Sequence, residues 1–387
     1  MLPTMIVACL AMQTPEATPM TPWTFRQRWE LGLRAEDRAA VEAFFGKFEV
    51  TQVRVRDLDA AFAVRAAAAK QVRIEASGQE FAVDLSRVGD TDLWVGATNL
   101  NPGLGCLLQA RVDGKLVGEP RQLEAYLKDV DTRPQPGVPV GKVIAMPNWT
   151  SRVFEGVTRE WWVYVPAQYD GTEPACTMVV QDGQWAKGYW PTALDNLIHR
   201  GEMPVTIAIF LRPGKRADGS ETRSYEYDVL SDRYSRMLLE EIIPEVEKTY
   251  RLRKDPESRG IAGSSSGAIC AFTVAWNRPD AFHKVLSWIG SYVDLAKLHG
   301  ETMGGDDYPS LIRKTDRKPI RVWLQDGKND LDNPFGNWWL ANLQMERALR
   351  YKGYDMVWQP GNGFHSNQHG EATLPTALRW LWRDVRD

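Results

Sequence analysis

Residues 259–272 read Arg-Gly-Ile-Ala-Gly-Ser-Ser-Ser-Gly-Ala-Ile-Cys-Ala-Phe. A short strand-like run, Arg259 to Ala262, leads into Gly263-Ser264-Ser265-Ser266-Gly267, and an apolar helix-like run follows from Ala268. Of the three serines, only Ser265 has glycine at both −2 and +2. The stretch therefore matches G-x-S-x-G. On a strand–turn–helix this pattern lifts a serine hydroxyl above the sheet, and the glycines let strand and helix approach closely. The competing reading is a plain Gly/Ser-rich loop, which would not require strand and helix signals on its two sides.

Working outward, apolar strand-like runs alternate with helical patterns. The runs are Trp161–Val165, Cys176–Gln181, Val205–Leu211, Val285–Ile289, Ile320–Gln325 and Asp355–Gln359. Helices are expected over Ser231–Tyr250, Ala268–Trp276, Trp338–Lys352 and Pro375–Val385. Near-continuous apolar strands alternating with helices predict an α/β fold with a mostly parallel sheet covered on both faces. Upstream, residues 134–141 (Pro-Gln-Pro-Gly-Val-Pro-Val-Gly) form the strongest linker signal. Before them lie short alternating segments such as Ala61–Val64, Gln71–Ile74 and Leu93–Val95, separated by Ser77-Gly78, Pro102-Gly103 and Asp113-Gly114. That texture predicts a small β-sandwich, with one helix over residues 35–46. The expected organisation is a tail or signal-peptide remnant (1–22), a β-sandwich-like domain (23–133), a linker (134–141) and a catalytic domain (142–387).

The 387 residues carry 47 basic and 50 acidic side chains, and 43% are hydrophobic. Whole-chain disorder is excluded, and a net charge of −3 argues against nucleic acid as a partner. No apolar run reaches 18 residues, so no transmembrane segment is expected. Met5–Met12 is apolar and resembles the end of an export signal without its basic start. An exported or periplasmic location and a cytoplasmic one both remain open. Four scattered cysteines (Cys9, Cys106, Cys176, Cys270) form no C-x-x-C pair, so neither a zinc site nor a disulfide framework is implied. Cys176 and Cys270 are expected to be buried thiols.

A serine needs a base, and the base needs an orienting acid. In this architecture the chain order is serine, acid, histidine. Of five histidines, only His365 and His369 lie late enough. His365 is preferred because Gly361-Asn362-Gly363-Phe364 places it on a loop just past a strand. The acid should follow Ile320–Gln325, where Asp326, Asp330 and Asp332 compete. Asp330 is the choice, Asp332 the next, and Asp326 is expected to bond the amides of its own turn. For an oxyanion hole, one amide should come from Ser266 and the other from the loop after Cys176–Gln181, at Gln184.

Taken together, Gly263–Gly267, Gln181-Asp182-Gly183-Gln184-Trp185, Asp326-Gly327-Lys328-Asn329-Asp330 and Gly363-Phe364-His365-Ser366 resemble the enterochelin-esterase-like and feruloyl-esterase-like branch of the α/β-hydrolases. The resemblance covers residues 140–385 and implies Ser265 as nucleophile, Asp330 as acid and His365 as base. It implies a pocket-lining role for the segment Arg223–Asp228. Arg223 and Glu226 could equally form a structural ion pair. Gly290-Ser291 resembles a loop beside the nucleophile, or an ordinary turn. No cofactor or metal is implied.

Sixteen tryptophans are several times the usual share. Eight of them, Trp161, Trp162, Trp288, Trp323 and Trp358 in expected strands and Trp276, Trp380 and Trp382 in expected helices, read as core. Trp185 and Trp190 follow the oxyanion loop, and Trp338 and Trp339 follow the acid loop, so these four and Arg223 are candidate substrate contacts. The leading expectation is a serine carboxylic-ester hydrolase for aryl, hydroxycinnamoyl or carbohydrate-linked esters. The alternatives are a siderophore esterase, an acyltransferase and a non-catalytic binding protein on a hydrolase fold. A homodimer is also possible.

Overall fold

The computed structural model describes residues 19–33, 35–77 and 80–385. The apolar stretch Met5–Met12 with Cys9, and Gly78 of the Ser77-Gly78 turn, lie outside them. The chain divides into two compact units. One comprises the chain up to Leu100 with Leu108–Pro120, the other Asn101–Leu107 with Arg121 onward. The Pro/Gly-rich residues 134–141 fall inside the second.

The first unit carries strands β1 (Thr51–Arg56), β2 (Asp59–Arg65), β3 (Val72–Ala76), β4 (Ala82–Arg87) and β5 (Leu93–Asn99). β6 (Leu104–Val112) and β7 (Lys115–Ala125) complete the sheet. Its order is β1-β2-β5-β4-β3-β6-β7, antiparallel at every register from β1 to β6. β4 divides its length, pairing Ala82–Leu85 with β3 and Ser86–Arg87 with β5. Asp113 and Gly114 turn the chain from β6 to β7 with φ of 46° and 83°, the left-handed pair a tight hairpin needs. Helices α1 (Pro22–Glu30), not foreseen, and α2 (Arg38–Phe45) supply Phe25, Val41 and Phe45 to a core with Ala61, Ala63 and Val95.

The second unit is built on eight strands: β8 (Lys142–Ala145), β9 (Trp161–Val165), β10 (Cys176–Gln181), β11 (Thr206–Leu211), β12 (Arg259–Ser264), β13 (Lys284–Trp288), β14 (Arg321–Gly327) and β15 (Asp355–Gly361). Their order is β15-β14-β13-β12-β10-β11-β9-β8. Five adjacent pairs are parallel and two, at the β8 edge, are antiparallel. The sheet is therefore mixed, with the antiparallel strands gathered at one edge. The burial pattern explains the difference. β10 and β11 are buried at every position, whereas β9 is only part-buried at Trp162 and Val165 and β8 is exposed throughout. An edge with one wet face suits antiparallel pairing.

Alternate residues feed two cores. Val179, Ile209, Ile261, Val285 and Val322 face one, and Met178, Val180, Phe210, Leu286 and Trp323 the other. The helices that position the site are α3 (Gly183–Ala186), α4 (Trp190–His199), α5 (Arg223–Tyr227), α6 (Ser266–Asn277), α7 (Trp338–Tyr351) and α8 (Gln368–Trp382). α8 starts seven residues before the expected Pro375 and carries that proline inside it. The helix expected over Ser231–Tyr250 is broken by a π-turn at Leu238–Ile242, just before Pro244. Proline removes a donor, and the wider turn accommodates the loss.

Among the described residues, one ion pair has both side chains fully buried. Arg159 Nη1 donates to Glu226 Oε2 at 2.7 Å, with neither side chain exposed. Glu226 Oε1 accepts from the Gly214 amide at 2.9 Å and from the Thr222 hydroxyl. Glu226 is thus structural, and its partner is Arg159 rather than Arg223. Glu226→Gln leaves an uncompensated buried guanidinium and is expected to cost about 3–5 kcal/mol. Denaturant unfolding checks this, and a loss below about 1 kcal/mol would contradict it.

Candidate active site

Ser265 joins β12 to α6 with φ 58° and ψ −125°, a conformation that non-glycine residues adopt only when their surroundings force it. Gly263 and Gly267 are part of that force. A Cβ on Gly263 would overlap the Gly267 carbonyl, and one on Gly267 would lie 3.0 Å from Asp182 Oδ2. The two glycines are needed for close approach, as the sequence pattern implied.

Three expected residues meet in one hydrogen-bonded chain. Ser265 Oγ lies 2.8 Å from His365 Nε2, and His365 Nδ1 lies 2.6 Å from Asp330 Oδ1. A carboxylate only accepts, so Nδ1 carries the hydrogen and Nε2 is left to accept from the serine hydroxyl. The acid and histidine loops extend the β14–β15 ladder beyond Gly327 and Gly361. Lys328 N donates to Gly361 O at 3.0 Å and Asn329 N to Gly363 O at 3.0 Å. A Cβ on Gly327 would overlap the Gly363 carbonyl. Beneath the histidine loop, Ser366 Oγ donates to Glu124 Oε1 at 2.7 Å and Tyr126 OH to Glu124 Oε2 at 3.0 Å. These two residues, distant in sequence, carried no motif that could reveal them.

The competing residues lie apart. Asp332 is exposed in a two-residue ribbon. Asp326 Oδ1 accepts from the Gly327 amide at 2.8 Å, the turn role expected. Burial, and then the Asp330 carboxylate beside it, push the Asp326 carboxyl well above the ordinary range. His369 stacks on Tyr126 with centroids 4.5 Å apart, and burial lowers its pKa to about 4. His199 is exposed at the end of α4, and His283 and His299 bond Glu257 and Ser224.

Ser266 begins α6, and Gln184 stands second in α3. First-turn amides have no acceptor within their own helix, so both positions suit an oxyanion donor. Asp182, at φ 52°, turns the chain from β10 into α3. A cavity of about 460 Å³ opens at Ser265 and His365, lined in part by Trp185, Tyr189, Trp190, Trp288, Arg223 and Asn367. Trp185 is 64% exposed, whereas Trp190 is buried. Trp338 and Trp339 are not among the lining residues. Trp338 is buried edge-on to His365, with centroids 5.8 Å apart, and its Nε1 donates to Ser291 Oγ at 3.1 Å. Trp339 packs on Trp358. The lining role of Trp288 was hidden because its strand run reads as core; it sits at the strand's C-terminal end, where core and pocket meet.

Arg223 grips Asp182 with two bonds, Nε to Oδ1 at 2.9 Å and Nη2 to Oδ2 at 2.8 Å. Behind them Asp228 is buried, and no hydrogen-bond partner reaches either carboxyl oxygen. Burial raises its pKa to about 6, tempered by the nearby Ser224 and Ser266 hydroxyls and the Arg223 charge. Because the folded state holds this proton more tightly, the associated stability is complete below about pH 3.8 and is lost as pH rises through about 6. Asp228→Asn should therefore gain stability over the wild type by up to about 3 kcal/mol between acid and neutral pH, then run parallel. Thermal unfolding as a function of pH checks this, and a pH-independent difference would contradict it.

Comparison with known proteins finds one family and several distant relatives. Residues 156–381 match the family model Esterase ("Putative esterase"). The Iron(III) enterobactin esterase of Dickeya dadantii is 23% identical over 245 residues, 60% of this chain and 54% of that protein. The uncharacterized protein YbbA of Bacillus subtilis is 26% identical over 35% of this chain and 57% of its own. The chain thus spans little more than half the length of these relatives. Among solved structures, the ferric enterobactin esterase of Salmonella typhimurium superposes with a TM-score of 0.60 at 17% identity, covering 88% of this chain and 98% of that one. A ferulic acid esterase of Anaeromyces mucronatus gives 0.51 at 18%, covering 65% and 94%. With a strand–turn–helix serine at the mouth of a cavity and more than half its length matched, this chain belongs to the Esterase family.

Proposed function

We propose that the protein is a serine carboxylic-ester hydrolase in which Ser265, His365 and Asp330 form the catalytic triad. The observation that carries this reading is the continuous hydrogen-bonded chain, 2.8 Å then 2.6 Å, ending at a serine that opens into a cavity. His365 Nε2 takes the Ser265 proton as Oγ bonds to the acyl carbon. The Asp330 carboxylate keeps the imidazole in the required tautomer and favours its charged form. The Ser266 and Gln184 amides stabilise the oxyanion. The imidazolium gives its proton to the departing alcohol, and water then releases the acid by the same steps in reverse. Family membership supports the reaction class and the complete triad weighs against a binding protein.

The substrate favoured is an uncharged aryl, hydroxycinnamoyl or carbohydrate-linked ester. Trp185, Tyr189, Trp190 and Trp288 line the cavity, while its one arginine, Arg223, is already neutralised by Asp182. A strongly anionic ferric catecholate would meet no surplus positive charge there. Siderophore ester cleavage is the second reading, supported by the name of the Dickeya relative.

A panel of acetyl, hydroxycinnamoyl and catecholate-siderophore esters tests both. Hydroxycinnamoyl turnover is expected to exceed siderophore turnover, and the reverse ranking would favour the second reading. Ser265→Ala should lower kcat by at least about 10³-fold, and full retention would overturn the mechanism. Trp185→Ala should raise KM for aryl esters several-fold, because its exposed ring is the one free to stack, and leave kcat nearly unchanged. An unchanged KM would remove Trp185 from the binding surface.

A further inference from the structure

We propose that the Ser291 hydroxyl is a further catalytic donor, aimed at the nucleophilic oxygen itself and not at the carbonyl oxygen of the substrate. The inference rests on the reading of Ser265 as nucleophile and extends it. Ser291 Oγ lies 3.1 Å from Ser265 Oγ. Either hydroxyl could donate in isolation, but the neighbours leave only one arrangement with every bond made. Asp330 fixes the hydrogen of His365 on Nδ1, so Nε2 takes the Ser265 hydrogen. On the other side, indole Nε1 of Trp338 can only donate, and it donates to Ser291 Oγ at 3.1 Å. The Ser291 hydrogen therefore points at Ser265 Oγ. The donor series runs Trp338, Ser291, Ser265, His365, Asp330.

Backbone strain holds this contact in place. Ile289, two residues before Ser291, has φ 43°, a genuine outlier for a β-branched side chain. It ends β13 as Ser265 ends β12, and the two turns are bonded to each other. Ser265 N donates to Trp288 O at 3.0 Å, and Ser291 N to Ser265 O at 3.2 Å. Asn342 Nδ2 anchors the same turn at Gly290 O, 2.9 Å away. Ser291 is only 1% exposed, so water does not compete for its hydroxyl.

A donor on Oγ matters most when that oxygen is charged. In the acyl-enzyme, Oγ is a weakly basic ester oxygen. During deacylation, water bonds to the acyl carbon and gives a proton to His365 Nε2. The C–Oγ bond then breaks, the electron pair stays on Oγ, and Nε2 returns the proton to it. Ser291 keeps its own hydrogen throughout and stabilises the departing oxygen by a bond that strengthens as the charge grows.

Stopped-flow hydrolysis of p-nitrophenyl acetate by the full chain separates acylation from deacylation. Ser291→Ala is expected to slow deacylation by about 10- to 100-fold. The burst should stay near one product per enzyme, and KM should fall with kcat. Ser291→Thr, which keeps the hydroxyl, should recover most of the rate. Unchanged rate constants in Ser291→Ala would overturn the proposal. So would a threonine variant no faster than the alanine one, because packing and not the hydroxyl would then be at work. Ser265→Ala, run alongside, separates the two levels: if it still turns over, the triad reading fails, and if it is dead while Ser291→Ala is unaltered, only the role of Ser291 fails.

Discussion

The site depends on one of three strained residues at the strand ends, Asp182, Ser265 and Ile289. Ser265 is held at φ 58° at the end of β12, where the conformation costs about 1–3 kcal/mol that the surrounding structure must supply. The supply is visible in adjacent elements. Gly263 and Gly267 let α6 close against its own strand, and the β13 turn bonds to Ser265 from the side. With the hydroxyl fixed there, every other group is placed by the ends of neighbouring strands. β10 leads to the oxyanion candidates, β13 to Ser291, β14 to Asp330 and β15 to His365. The parallel run of the sheet therefore delivers five chemical groups to one edge.

Local sequence carried much of this. The glycines around Ser265 identify the turn because only a residue without Cβ fits there. Chain order reduced five histidines to His365 and His369, and of these His365 bonds Ser265 whereas His369 stacks on Tyr126. Asp330 was readable as the mid-loop carboxylate between two strands. What local sequence could not reveal depends on long-range approach. Glu124 and Tyr126 support the histidine loop from some 240 residues away in sequence. Arg223 pairs with Asp182 and Glu226 with Arg159 because of how α5 packs, which no spacing between the two residues predicts. Trp338 follows the acid loop as expected, yet its ring turns inward to Ser291 and His365 and not to the cavity. The antiparallel edge was missed because Val143-Ile144-Ala145 is too short an apolar run to mark a strand by its period.

The electrostatics of the cavity bear on the substrate more than the overall charge of −3 does. Arg223 is bound by Asp182, and Asp228 stands close behind with a proton it gives up only near pH 6. This charge balance is what favours an aromatic, uncharged acyl or alcohol group in the proposed reading. The tryptophan excess divides accordingly. Trp161 and Trp382 are core, Trp338 packs on His365 and bonds Ser291, and Trp185, Trp190 and Trp288 line the cavity.

The central claim is that Ser265 is an activated nucleophile. Intact-protein mass spectrometry after treatment with a fluorophosphonate, followed by peptide mapping, tests it directly. The account predicts one adduct per chain, on Ser265, lost when His365 is replaced by alanine. A folded protein that takes up no adduct, or one that is modified on another serine, would contradict it.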